Sequence, residues 1–171
     1  VDNKLMSEVF FNSFSEQDYQ SLDKVIDHKR DFNYAHYQIK QMLEKYSLSD
    51  RVNSVFFETP QFSFIRVAMR MCLNKGTGEK RIARIKRHYE QYSKGIVNIP
   101  TPYFTNSGTN RSGFASCCLH SSTDTVESLS TGDHISYMMT VGSAGQGSKI
   151  YTRPIDTPVK GGSIIHSGKI N

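Results

Sequence analysis

No stretch of the 171 residues approaches the roughly 18 consecutive apolar side chains that carry a helix across a bilayer. No secretory leader is expected either: Val1 to Met6 alternates charged and apolar residues and has no hydrophobic run. Cysteine is scarce, at three residues. With no export signal, these read as reduced thiols of a cytoplasmic protein, not as a disulfide framework. The six histidines show no metal-ligand spacing, so no metal site is predicted. A P-loop, a serine–histidine–acid arrangement and internal repeats are also lacking. The first residue is valine, which reads as a processed or excerpted chain.

What remains has the composition of a folded domain. Hydrophobic residues make up 37% and charged residues 22%, which excludes wholesale disorder. The net charge is +5, concentrated in Lys80, Arg81, Arg84, Lys86 and Arg87. On a helix these spread over a solvated face beside an apolar stripe of Ile82, Ile85, Tyr89 and Tyr92. No aromatic-interleaved strand or DNA-binding motif accompanies them, so a nucleic-acid partner is not favoured.

The first hundred residues read as helices. Ser15 caps one that runs to about His28, with Glu16 and Asp18 in its first turn. A second covers Tyr34 to Tyr46. Val55 to Phe57 is extended, and Thr59 followed by Pro60 announces a third helix, apolar on most of its circumference. Cys72 lies on its stripe and reads as a small buried hydrophobe. The basic helix spans Glu79 to Ser93 and stops at Gly95.

From Ile99 the texture changes. A stiff Pro100-Thr101-Pro102 leads through a polar loop, Thr105 to Gly113, into a short buried strand, Phe114 to Leu119. Thr123 or Asp124 caps a helix continuing to Val141, with a break near Gly132. Further strands are predicted near Lys149 to Thr152 and Ser163 to His166, within a glycine-rich ligand loop. So few strands leave open edges, so either this third is poorly ordered alone or another polypeptide completes the sheet. Cys117 and Cys118 point to opposite faces of a strand, so one thiol faces any given cavity. The other reading of the pair is two structural cysteines. Arg153 and Lys160, set among glycines, are candidates for holding phosphates.

In their order, these segments resemble the large, catalytic subunit of class I ribonucleotide reductase. The matching residues are Ile26-Asp27-His28-Lys29-Arg30-Asp31, Glu58-Thr59-Pro60-Gln61-Phe62, Pro100-Thr101-Pro102 and Phe114-Ala115-Ser116-Cys117-Cys118-Leu119. They continue with Asp124-Thr125-Val126-Glu127-Ser128, Ser143-Ala144-Gly145, Pro158-Val159-Lys160-Gly161-Gly162 and His166-Ser167-Gly168. The resemblance implies an α/β fold with a mainly helical segment, residues 1–98. From 99 to 171 it implies the first strand–helix units of an incomplete ten-stranded α/β barrel. In that family a thiyl radical abstracts hydrogen from the substrate ribose and a redox cysteine pair delivers the reducing equivalents. By motif position Cys117 resembles one member of that pair, and Thr101, Ser116 and Gly145 resemble substrate contacts. Asp124, Thr125 and Val126 match the segment that reads the effector base, while Arg153 and Lys160 match basic residues near its phosphates. The family's radical cysteine, its neighbouring asparagine and glutamate, the second redox cysteine, the substrate-phosphate loop and the ATP-cone have no counterpart in these residues.

The resemblance therefore implies a fragment of a ribonucleoside-diphosphate reductase, from a split gene more than an excerpt, inactive until assembled. Its implied partners are a complementary large-subunit fragment, a small subunit carrying a di-iron tyrosyl radical, thioredoxin or glutaredoxin as reductant, and nucleotide substrate. No cofactor is implied in this chain itself beyond a dNTP or ATP effector. The competing expectation is a non-catalytic dNTP-binding or interaction module with the same ancestry.

Overall fold

In the computed structural model, residues 5–142, 144–152, 157–158 and 164–165 are described. The chain divides into two compact units, Val1–Phe114 and Ala115–Asn171.

The first unit is built of helices whose ends obey local rules. Helix α1 (Glu8–Phe11) is a single turn, and α2 (Glu16–Asp23) follows it. Ser15 and Asp18 form a reciprocal capping box at the start of α2, each side chain satisfying the other's backbone N–H. That helix ends five residues before His28, the predicted end. Asp27 instead accepts a hydrogen bond from the Lys29 N–H and starts a 3₁₀ turn, His28–Asn33. Helix α3 (His36–Gln41) runs into one wide π turn, Met42–Tyr46, so the predicted single helix is two kinds of turn. A two-residue hairpin, β1 (Ser49–Asp50) with β2 (Val55–Phe56), leads to α4 (Pro60–Cys72), with Thr59 as N-cap and proline at its first position. Helix α5 (Gly78–Ser93) packs along α4, and the chain turns out of it at Gly95, where φ is +68°.

The core lies between these helices. Phe64, Ile65, Val67, Ala68 and Met69 of α4 meet Ile82, Ile85, Tyr89 and Tyr92 of α5, with Phe10, Phe14 and Leu22 closing one side. Cys72 is completely buried there, and burial pushes its thiol up despite the nearby Lys75, Arg84 and Arg87. It is the packed hydrophobe its stripe predicts.

Pro-Thr-Pro differs from expectation. Pro100 is extended, but Thr101–Asn106 is helical (α6), taking in the first two residues of the predicted loop. Pro102 sits where a helix needs no N–H donor, so it starts the helix instead of stiffening an extended lead.

The second unit is a strand–helix–strand crossover: β3 (Cys117–Thr123), α7 (Val126–Val141) and β4 (Gly145–Tyr151). β3 and β4 are parallel, with Cys117 opposite Gly145 and Thr123 opposite Tyr151. A short antiparallel pair, β5 (Thr157–Pro158) with β6 (Ile164–Ile165), completes the described elements. The strand lies three residues later than predicted and is not buried: Leu119 is 85% exposed. Nor does α7 break at Gly132. A Cβ there would stand 2.7 Å from the Ser122 Oγ and 3.0 Å from His120 Nε2, so glycine is what lets α7 lie on β3. Among the described residues no barrel is closed, and β3 and β4 pair with each other alone. No helix among them is long and apolar enough to cross a membrane.

Candidate functional site

Alternation along β3 sorts the candidates. Cys118, His120 and Ser122 turn to α7, while Cys117, Leu119 and Ser121 turn away. Cys117 is exposed and Cys118 half-buried, as neighbours on a strand must divide. The Ser116 hydroxyl lies 3.8 Å from the Cys117 Sγ, and the Ser116 carbonyl accepts the Gly145 N–H at 2.8 Å. A Cβ on Gly145 would stand 3.6 Å from that sulfur, and one on Gly147 would collide with Leu119 at 2.9 Å. Gly145 thus leaves backbone open beside an exposed thiol, a surface that a ligand can approach closely, while the Leu119 side chain fills the space at Gly147.

Asp124, Thr125 and Val126 gather at the other end of the same strand, roughly 20 Å away at 3.3 Å per residue. The N-cap of α7 is Thr125, one residue beyond the predicted cap: its hydroxyl accepts the Ser128 N–H at 3.2 Å. In return the Ser128 hydroxyl accepts the Thr123 N–H at 2.9 Å, which locks the turn. Asp124 cannot cap because it is turned inward and buried, with its backbone N–H donated to the Tyr151 carbonyl at 3.1 Å. Val126 is exposed on the first turn of α7. A cavity of about 330 Å³ lies between β3 and α7, edged by Thr125, Ser128 and Thr131. Arg153 and Lys160 lie outside the described residues.

Thr101 belongs to the first unit. It is the first residue of α6, half-buried, with its hydroxyl 3.4 Å from the Tyr46 hydroxyl. The sequence did not reveal what holds α6 in place. Arg66 of α4, 3% exposed, makes a two-pronged pair with Glu58, Nε to Oε1 at 2.6 Å and Nη2 to Oε2 at 2.9 Å. The same guanidinium donates to the carbonyls of Phe104, Ser107 and Tyr46, tying α6 and the loop after it to the core. The signal was present: an arginine in the most apolar helix, eight residues after the glutamate that opens the Glu58-Thr59-Pro60 motif. A second buried network joins the 3₁₀ turn to both long helices. Gln61 donates to Asp31 and accepts from Tyr89 and Ser93, and the Tyr89 hydroxyl accepts the Asp27 N–H. Burial holds the Asp31 carboxyl above its ordinary range, although Gln61 and His28 pull the other way.

A helical unit followed by a parallel strand–helix–strand crossover, with a thiol beside glycine, defines a chain that joins an all-α unit to an α/β one. A family model described as "Ribonucleotide reductase, all-alpha domain" matches residues 32–112. Among curated relatives, ribonucleoside-diphosphate reductase 1 subunit alpha of Escherichia coli is 29% identical over 170 residues, covering 99% of this chain and 22% of that protein. Subunit alpha of Buchnera aphidicola subsp. Baizongia pistaciae is 29% identical over 161 residues, 93% of this chain and 21% of that one. Subunit alpha of Enterobacteria phage T4 is 28% identical over 118 residues, 69% and 15% respectively. Over nearly its whole length the chain is thus similar to the large (alpha) subunits of ribonucleoside-diphosphate reductases. It spans about a fifth of the length of the curated relatives E. coli and B. aphidicola supply.

Proposed function

We propose that these residues form the all-α segment and the first strand–helix–strand unit of a catalytic α/β barrel in a ribonucleoside-diphosphate reductase. The observation that supports this best is the register of β3 on β4, which sets Ser116, the exposed Cys117 thiol and bare Gly145 side by side. In this reading Ser116, Gly145 and Thr101 contact the ribonucleotide, and Cys117 is one thiol of a redox pair. The second cysteine comes from further large-subunit polypeptide. Each turnover oxidises the two thiols to a disulfide and removes the ribose 2′-hydroxyl as water, giving the deoxyribonucleotide. A dithiol protein of the thioredoxin or glutaredoxin kind then reduces the disulfide. Asp124, Thr125 and Val126 read the base of a dNTP or ATP effector, with Arg153 and Lys160 at its phosphates. A small subunit carrying a di-iron tyrosyl radical supplies the radical that starts each turnover, in the cytoplasm.

Exposed Leu119, Val126, Tyr137 and Val141 fit a unit whose faces are covered by further barrel strands and helices. The test is co-expression with the complementary barrel polypeptide and the small subunit, followed by assay of ribonucleoside-diphosphate reduction. Activity is expected in the assembly and not in this chain alone. Cys117→Ser is expected to abolish multiple turnover with a thioredoxin-type reductant, and an unchanged rate would remove the redox role. Binding of dNTPs by an assembly that never reduces ribonucleotides would favour the non-catalytic module.

A further inference from the structure

A small hollow in the first unit, lined by none of the candidate site residues assigned above, has the chemistry of an anion site. It has a volume of about 150 Å³ and is edged by the π turn, the β1 strand and the loop after α6. Lys45, Arg51 and Arg111 stand around it, with the hydroxyls of Ser49, Thr105 and Thr109 between them. Among the described residues no carboxylate lines it. The nearest acids in sequence are engaged elsewhere. Asp50 is held by the backbone N–H groups of Val52 and Asn53 and by the Asn53 side-chain amide at 2.7 Å, which pull its carboxyl below its ordinary range. Glu58 faces Arg66, and Glu44 faces Lys40 at 3.9 Å.

The three cations have no counter-charge among the described residues. Among the described residues neither guanidinium has a hydrogen-bond or ion-pair partner, and the Lys45 ammonium meets only the Tyr46 ring, 5.4 Å from its centroid. Like charges collected around one concavity repel, and the repulsion is relieved when an anion enters. Two guanidinium forks suit phosphate oxygens in particular, because each offers paired donors in a plane. The size narrows the ligand further. Cavities that enclose drug-sized molecules run from about 300 Å³ upward, so this one admits a phosphate group or two. The Thr109 hydroxyl is already oriented, donating to the Asn106 carbonyl and accepting the Arg111 N–H, and this fixes the loop from which Arg111 projects.

We propose that this hollow binds a small phosphate-bearing anion, either inorganic or the phosphate end of a nucleotide. The test is isothermal titration of the 171-residue chain with pyrophosphate, and separately with ATP, at low salt. Both guanidiniums are exposed, so the double variant Arg51→Gln/Arg111→Gln keeps the fold, which circular dichroism checks. That variant is expected to weaken pyrophosphate binding by at least about tenfold. The control Lys80→Gln/Lys86→Gln removes the same charge from α5 and is expected to leave it within about twofold. Equal affinity for ATP and pyrophosphate assigns recognition to the phosphates alone, while tighter ATP binding that is lost in the same double variant assigns the site to a nucleotide. Equal weakening by the two double variants, or no binding of either probe to the unaltered chain, would overturn the proposal.

Discussion

The two units bury apolar surface in opposite ways. In residues 5–114, α4 and α5 close over each other, and Val67, Ala68, Ile85 and Tyr89 are almost wholly removed from water. In the described part of 115–171, Leu119, Tyr137, Met138 and Val141 stay exposed, and the buried residues are small or polar: Ser122, Asp124 and Gly132. The first arrangement is a core. The second is a single layer, with a helix that leaves several apolar side chains in water and a strand pair whose outer edges have no partner among the described residues. The all-α match to residues 32–112 falls on the unit that carries its own core.

The largest effect expected from breaking this contrast is at Arg66. Replacing it with methionine leaves the Glu58 carboxylate buried without its counter-charge, which costs about 3–5 kcal/mol. Urea unfolding followed at the helical circular-dichroism band should show it. A second substitution, Glu58→Gln, should restore part of the loss.

A paired truncation compares the units directly. Ile85→Ala opens a cavity between α4 and α5 and should cost about 2–5 kcal/mol. Leu119→Ala, on an exposed strand face, should change the chain's stability by no more than about 0.5 kcal/mol. If Leu119→Ala proves as costly as Ile85→Ala, the faces of β3 are covered in solution. If the proposed barrel assembly forms, adding the complementary polypeptide should raise the cost of Leu119→Ala alone.

The smallest effect sharpens the picture of the first unit. Burial, together with Arg87, Lys75 and Arg84, holds the His88 imidazole below its ordinary value. The unfolded chain therefore takes up this proton first as pH falls, so the residue's contribution is present above about pH 6.5 and is lost on acidification below it. Tm measured between about pH 7.5 and pH 5.5 should decline less in His88→Gln than in the unaltered chain.

The first unit was the more legible in sequence, for a physical reason. Its signals are local: Ser15 with Asp18, Thr59 before Pro60, Gly95 after a basic amphipathic run, and an apolar stripe that includes Cys72. Each depends on residues within one or two turns. What the sequence hid is long-range. Arg66 bonds carbonyls about forty residues ahead, and Gln61 collects Asp31, Tyr89 and Ser93 from three elements. In the second unit, strand and helix were legible but their boundaries were not. The strand begins at Cys117 and the cap is Thr125, because Asp124 turns inward at the strand's end and leaves the next hydroxyl to receive the Ser128 N–H. Gly132 looked like a helix breaker because its use, contact with Ser122 and His120, is tertiary.

The pairing of β3 with β4 also makes the two adjacent thiols a gauge of alignment. Sliding β3 by one residue would turn every side chain to the other face, exchanging Cys117 for Cys118. A conservative change at β4, such as filling Gly147 where Leu119 already lies 2.9 Å from the missing Cβ, would push on that alignment without touching either sulfur. Which of two neighbouring cysteines faces the open side is thus decided by the strand next door.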